Sequence, residues 1–193
     1  MSVSFALSII LERYYGDKIY GDFVLSFSTI EILGVFSLIG FNQFFLVHIP
    51  KLKKDPNAVS FIYSRARKNV LLVSVVMSVL VFWFSYLDVP LFKHETTRHF
   101  FRYGALTLPI FAMSTLATAL LNSLKKVVLS QITDRIVRPL VVLVGVLALI
   151  YFDFGPLNII YLYVVAVIIG YAIDIRNRNK YYTLIKNPVS DFS

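Results

Sequence analysis

The chain has 193 residues, a formal net charge of +8 at pH 7 and a sequence that is 58% hydrophobic. Soluble domains are typically about 45–50% apolar, so this composition and a mean hydropathy of +0.73 indicate a membrane protein. The absence of cysteine excludes a disulfide framework, a thiolate nucleophile and a cysteine-ligated metal site. With this hydropathy, the positive charge indicates basic residues in cytoplasmic loops and not binding to nucleic acid.

The N-terminal stretch 2–11 is apolar but contains only ten residues before Glu12. A transmembrane helix needs about 17–25 apolar residues. We therefore expect residues 1–13 to be the second half of a first transmembrane helix, or a half-inserted segment. No small-residue cleavage site precedes Glu12, so a cleavable signal peptide is not predicted.

The longest apolar run, 23–49, contains a single carboxylate, that of Glu31. As one helix the run reaches about 40 Å, beyond the roughly 30 Å of a bilayer's hydrocarbon core. A carboxylate within such a run costs about 2.5–3.5 kcal/mol on insertion scales. We expect Glu31 to face a protein interior or a wet cavity, either in a functional role or in a structural hydrogen bond between helices. Small and hydroxyl residues on two helix faces predict close packing with neighbouring helices: Ser26, Ser28, Thr29, Gly34 and Ser37.

The middle of the chain alternates polar and apolar segments. A basic loop at 50–69 precedes a helix at about 70–87, and a loop of mixed charge at 88–104 precedes a helix at about 105–121. Pro109 is expected to bend that helix near its start. A polar stripe along one face of the helix predicts a packing seam or, alternatively, a substrate pathway: Thr107, Ser114, Thr118, Asn122 and Lys125.

The fifth predicted helix covers about 131–152, and charged residues crowd its first two turns. Asp134 and Arg138 are separated by four residues with the acid first, the better orientation for an ion pair within a helix. Such a pair would leave Arg135 available to a ligand. The alternative is that these arginines extend along the helix to the cytoplasmic interface.

The last segments comprise a tight turn at 153–156, a helix at about 157–174 and a C-terminal tail at 181–193. The connections at 50–69 and 122–139 and the C-terminal segment 174–193 together contain 14 of the 19 Lys and Arg residues. The connections that alternate with them contain the other 5. By the positive-inside rule, both termini and the two basic loops are cytoplasmic. The sequence thus predicts an all-α, polytopic bundle of about six transmembrane helices in the inner (plasma) membrane.

Several motifs, in order along the chain, resemble those of Wzx-type flippases for O-antigen and lipid-linked oligosaccharides, in the MOP superfamily. The connection Arg13–Phe23 is similar to the family's R-x-x-G-x-x-x-Y-G-x-F pattern between its first two helices. Four further stretches resemble the end of its second helix and its helix 4–5 region: Leu38–Asn42, Leu108–Pro109, Asn122–Lys126 and Ile136–Leu140.

The resemblance implies one six-helix lobe of a transporter in which the substrate path lies between two lobes. A second copy or another chain would then supply the other lobe, as in other transporters built from parallel repeats. The implied function is flipping of a polyprenyl-diphosphate-linked oligosaccharide in cell-surface polysaccharide biosynthesis, with polysaccharide-assembly proteins as possible partners. Neither enzymatic activity, nor a cofactor, a metal or nucleic acid is expected.

Such a substrate requires cationic and polar groups in a groove open to lipid, because its anionic head must cross hydrocarbon. We assign binding of the diphosphate to Lys125, Arg135 and Arg138, and binding of the sugar hydroxyls to Asn42, Gln43 and Asn122. Glu31 is assigned to ion coupling. Three alternatives remain: a MATE-like exporter of small molecules with an acid- and aromatic-lined cavity, a non-transporting membrane subunit or remnant, and a membrane enzyme. The enzyme is disfavoured because the sequence offers no catalytic pair at membrane depth.

Overall fold

The structure is a computed structural model that describes residues 2–52, 55–86, 95–125, 131–132 and 136–186. These residues form an all-helical bundle without strands, which confirms the predicted all-α class. We number the α-helices of this described part as α1 Ser2–Tyr15, α2 Asp17–Phe36, α3 Phe41–His48, α4 Pro56–Phe84, α5 Glu95–Ala105, α6 Leu108–Ser123, α7 Arg138–Tyr151 and α8 Ile159–Lys186. A short 3₁₀ turn, Pro156–Asn158, precedes α8.

The predicted single helix at 23–49 is wrong, because the structure contains two helices there. Helix α2 begins earlier, directly after Gly16 with its φ of 85°, and ends at Phe36. The chain then turns through Ile39 and Gly40, whose φ angles are 47° and 75°. Residues with positive φ cannot continue a right-handed helix, so α3 starts anew at Phe41.

Helix α4 begins within the segment predicted as a basic loop. The side chain of Asp55 accepts hydrogen bonds from the backbone N–H groups of Asn57 and Ala58, and Pro56 occupies the first helical turn. Both features favour a helix start. Consequently Arg65 and Arg67 lie on α4 and not in a loop.

The loop predicted at 88–104 is likewise helical from Glu95, as α5. Helices α5 and α6 meet at a bend of 53°. Pro109 lies in the first turn of α6, where its missing N–H costs no hydrogen bond. The expected bend near Pro109 is therefore present, at the junction between the two helices.

The last two helices also differ from their predicted bounds. The fifth predicted helix is helical at 131–132 and, in π-helical form, at 136–137, and the α-helix α7 begins at Arg138. Asp134 and Arg135 lie outside the described residues. Asp153, with a φ of 52°, forms the predicted tight turn. The polar run after Asp174 does not end α8, which continues to Lys186 into the segment predicted as a tail.

Three helical segments are long and apolar enough to cross a membrane: Asp17–Phe36, Asn57–Phe84 and Ile159–Asn179. The bent pair α5–α6 would be a fourth if it counts as one span. The chain is thus consistent with a membrane protein. Helices α1 and α7 each have 14 residues, about 21 Å, so six full spans remain a prediction. Large apolar side chains of α4 point outward, as lipid contact requires: Leu71, Leu72, Val75, Val76, Val79 and Leu80.

The ends of the helices fall into two groups that match the predicted alternation of connections. At one end, Tyr14 donates a hydrogen bond to Asp153 (3.3 Å) and Tyr15 donates one to the Phe154 carbonyl (3.3 Å). At the other end, Arg178 of α8 donates to the Tyr63 hydroxyl on α4 (3.3 Å). The connection after α1 therefore lies beside the α7–α8 turn, and the start of α4 lies beside the C-terminal half of α8.

Because the chain contains no native cysteine, single-cysteine labelling can test this arrangement. We expect Lys18→Cys and Gly155→Cys to react with a membrane-impermeant maleimide from one face of the membrane. Lys51→Cys and Lys125→Cys should react only from the opposite face. Labelling of intact cells and of inverted vesicles separates the two faces. Reaction of Lys18→Cys and Lys51→Cys from the same face would contradict the arrangement.

Candidate functional site: a groove between α2 and α7

A groove of about 450 Å³ lies between α2 and α7. We call it the α2–α7 groove. Most of its walls are apolar or aromatic, and three residues bring a carboxylate, a guanidinium and a phenol to it: Glu31, Arg138 and Tyr163. Its other lining residues are Leu7, Phe23, Val24, Phe27, Ser28, Phe111, Pro139 and Val142. Such walls with few polar groups are typical of sites for small molecules.

A second cavity of about 560 Å³ continues along α2 and shares Ser28, Glu31 and Phe111 with the groove. It reaches Ile39 and Gly40, at the break between α2 and α3. The side chain of Glu31 therefore stands where the two cavities join. Together they form an open, mainly apolar path along one face of α2.

Glu31 accepts a hydrogen bond from the Tyr163 hydroxyl, with 2.8 Å between the two oxygens. Aromatic stacking fixes the phenol ring, whose centroid lies 4.0 Å from that of Phe27 and 6.4 Å from that of Phe23. The carboxylate is exposed on the groove side. Glu31 thus lines a cavity and forms the expected hydrogen bond between helices, and its functional role stays a prediction.

Arg138 points into the bundle and not along α7 to the interface. Its Nη2 donates to the Ser114 hydroxyl oxygen at 2.6 Å, and its guanidinium carbon lies 5.1 Å from the centroid of the Phe111 ring. Ser114 in turn donates to Oδ2 of Asp174 on α8. The expectation that Arg138 extends to the interface is therefore wrong. Instead, a chain of polar groups links α7, α6 and α8.

The close contact between α2 and α6 depends on Gly34. A Cβ at this position would lie 2.5 Å from Cδ1 of Phe111, a distance that real side chains do not tolerate. The predicted packing role of Gly34 is confirmed. The hydroxyls of Ser26, Thr29 and Ser37 each donate to the carbonyl four residues earlier, so they are satisfied within α2 and its C-terminal turn.

The other residues predicted to bind substrate lie elsewhere. Asn42 and Gln43 are exposed on α3, and Asn122 and Lys125 lie at the C-terminal end of α6. None of these four lines the groove, and Arg135 is outside the described residues. Of the seven predicted site residues, the structure therefore brings Glu31 and Arg138 together.

Tyr163, Asp174 and the link that Ser114 forms between helices are not predicted from the sequence. Asp174 stands at the end of the helix predicted at about 157–174, although its side chain is completely buried. One signal was present, because residues 11 apart lie within about 20° on a helix. Tyr163 and Asp174 have this spacing and could have been assigned to one interior face of α8.

Comparisons with protein-family models, with curated proteins and with solved structures find no match. The described part of the chain contains no group of three or more His, Asp or Glu side chains that could hold a metal ion. What the site can bind is therefore inferred from the residues that line it.

Removing the Arg138 guanidinium alone should destabilise the bundle more than removing it together with the charge of Asp174. Arg138→Met leaves the buried Asp174 carboxylate without the cation that Ser114 links to it, and we expect a loss of about 3 kcal/mol in unfolding free energy. The double variant Arg138→Met with Asp174→Asn should regain most of this loss. The free energy of unfolding of both variants is measured in mixed micelles by increasing the SDS fraction.

The matched control is Arg13→Met, because Arg13 is an exposed cation at the end of α1. Its effect should stay within about 0.5 kcal/mol, as for most surface substitutions. A double variant as unstable as Arg138→Met alone would show that charge compensation does not connect the two residues.

Proposed function

We propose that this chain forms one lobe of a membrane transporter that flips a lipid-linked oligosaccharide. The observation that supports this function best is the α2–α7 groove, in which a guanidinium and a carboxylate occur within apolar and aromatic walls. A polyprenyl diphosphate that carries sugars combines an anionic group, hydroxyl groups and an apolar tail. The groove offers a complementary group for each.

In this proposal, Arg138 binds the diphosphate oxygens, since a guanidinium can hold phosphate in a bidentate fork. Glu31 and Tyr163 bind sugar hydroxyls, which can donate to the carboxylate and to the phenol oxygen, while the phenol proton stays on its bond to Glu31. The lipid tail lies along the apolar cavity beside α2, against Ile32 and Val35. Asn42, Gln43, Asn122 and Lys125 would meet the substrate only outside the groove.

The lobe would need a partner, either a second copy or another chain, to close the path from the open side of the groove. We propose that the protein resides in the inner membrane. Its basic helix ends, which include Lys51, Lys125 and Arg178, would lie on the cytoplasmic side together with both termini. Polysaccharide-assembly proteins would be its further partners.

A second candidate function is export of small cationic molecules, as in MATE-like transporters. The lining of the groove favours it specifically, because Phe23, Phe27, Phe111 and Tyr163 surround the carboxylate of Glu31. Aromatic faces attract organic cations. The two functions require ligands of opposite charge, so binding experiments can distinguish them.

We expect the purified full-length chain in detergent micelles to bind a polyprenyl diphosphate at least tenfold more tightly than the corresponding polyprenol. The reason is that one charge-assisted interaction with Arg138 is worth roughly 1.5–3 kcal/mol. Equilibrium binding of the two radiolabelled lipids measures the ratio. Tighter binding of tetraphenylphosphonium than of the diphosphate would favour the cation exporter, and binding of neither would favour a non-transporting subunit.

Glu31→Gln tests the assignment of ion coupling. The amide keeps a hydrogen-bond acceptor for Tyr163 but cannot change its charge, so we expect transport to lose its dependence on external pH. The assay is complementation of a strain blocked in lipid-linked oligosaccharide export, with this chain alone and with it joined to a second lobe. Thr29→Ala, a neutral change on the same helix at a residue that lines neither cavity, is the control. Normal transport with unchanged pH dependence in Glu31→Gln would remove the assignment.

A further inference from the structure

The hydroxyl of Ser114 lies between a cation that lines the groove and an anion that is completely buried. We infer that Ser114 and Asp174 are positioning residues, which hold the Arg138 guanidinium in the orientation that binds an anionic head group. This inference rests on the proposed function. It assigns a role in substrate specificity to two residues that do not themselves line the groove.

The direction of each hydrogen bond follows from the number of protons available. A serine hydroxyl has one proton and two acceptor lone pairs, and a guanidinium only donates. Ser114 must therefore accept from Nη2 of Arg138 (2.6 Å). Its single proton then goes to Oδ2 of Asp174, since an ionised carboxylate only accepts. Asp174 thereby fixes the rotation of the hydroxyl and aims a lone pair at Arg138.

The two supporting residues are rigid as well as correctly oriented. Ser114 and Asp174 both have 0% solvent exposure, so water does not compete for their hydrogen bonds. They lie on α6 and α8, and these two helices are packed closely together. An interior carboxylate in an apolar helix is costly. The presence of Asp174 at this buried position is explained if its carboxylate helps to orient Arg138 for binding.

A second contact restricts the guanidinium from another side. Its carbon lies 5.1 Å from the centroid of Phe111, within the range of a cation–π interaction. The Phe111 ring in turn packs closely against Gly34 of α2. The guanidinium is therefore restricted by an aromatic ring on one side and by the Ser114 hydroxyl on another. A guanidinium fixed in this way loses less entropy when it binds a phosphate.

The test compares Ser114→Ala with wild type in the binding experiment with polyprenyl diphosphate and polyprenol. Loss of the hydroxyl should weaken diphosphate binding about tenfold, the size of one hydrogen bond to a charged group, and leave polyprenol binding unchanged. Ser114→Thr, which keeps a hydroxyl, should retain most of the diphosphate affinity. Thr118→Ala is the matched control on α6, because the Thr118 hydroxyl bonds to the Thr115 carbonyl and not to Arg138.

Asp174→Asn provides an independent variant. Its amide can present either an oxygen or an NH₂ group to Ser114, so the hydroxyl loses its fixed direction. We expect a loss of diphosphate affinity that is smaller than in Ser114→Ala and, again, no change for the polyprenol. Tighter diphosphate binding in Asp174→Asn would show that Asp174 competes with the ligand for the cation, and would overturn the inference.

The remaining outcomes separate this inference from the function on which it rests. Failure of the wild-type chain to prefer the diphosphate would overturn the proposed function and this inference with it. If wild type prefers the diphosphate and Ser114→Ala keeps that preference, only the positioning role is overturned. Equal losses for both lipids in Ser114→Ala would indicate a purely structural role, and thermal unfolding of each variant provides the same distinction.

Discussion

The bundle depends on how it accommodates a buried carboxylate inside an apolar helix. Asp174 has no access to solvent, and an uncompensated charge in such a place would cost several kcal/mol. Ser114 of α6 donates a hydrogen bond to this carboxylate, and Arg138 of α7 donates one to Ser114. The packing of α6, α7 and α8 is therefore specific, because a different register would separate the carboxylate from Ser114 and Ser114 from Arg138. The same constraint places a guanidinium beside the groove.

Two clusters of buried apolar residues form the core of the bundle. One cluster combines residues of α1, α2, α5, α7 and α8 with Leu108 at the start of α6, and contains Phe27, Ile30 and Phe100. The other combines α3, α4 and later residues of α6 around Phe45 and Leu116. The chain passes from the first cluster to the second at the break between α2 and α3, where Ile39 and Gly40 have positive φ angles.

Hydropathy predicted the all-α class and the membrane-like character of the chain, because both follow from long apolar segments. It could not predict the helix ends, since these depend on single features such as the positive φ of Gly40 and the Asp55 cap. Glu31 was identified because it is isolated in an apolar run. Asp174 was missed because it begins a polar run, where burial depends on Ser114, a partner 60 residues away. The spacing of Tyr163 and Asp174 indicates a shared helix face, but no local pattern identifies Ser114 as the partner.

The charges of the described site suggest why transport of an anionic substrate would need an ion. Glu31 brings a carboxylate to the same groove as the Arg138 guanidinium. In a medium of low dielectric constant, Coulomb repulsion from that carboxylate would oppose entry of a diphosphate. A proton or a cation bound at Glu31 would remove this repulsion and leave the Arg138 guanidinium to attract the diphosphate. Within the proposed function, ion coupling at Glu31 and anion binding at Arg138 are therefore two parts of one charge balance.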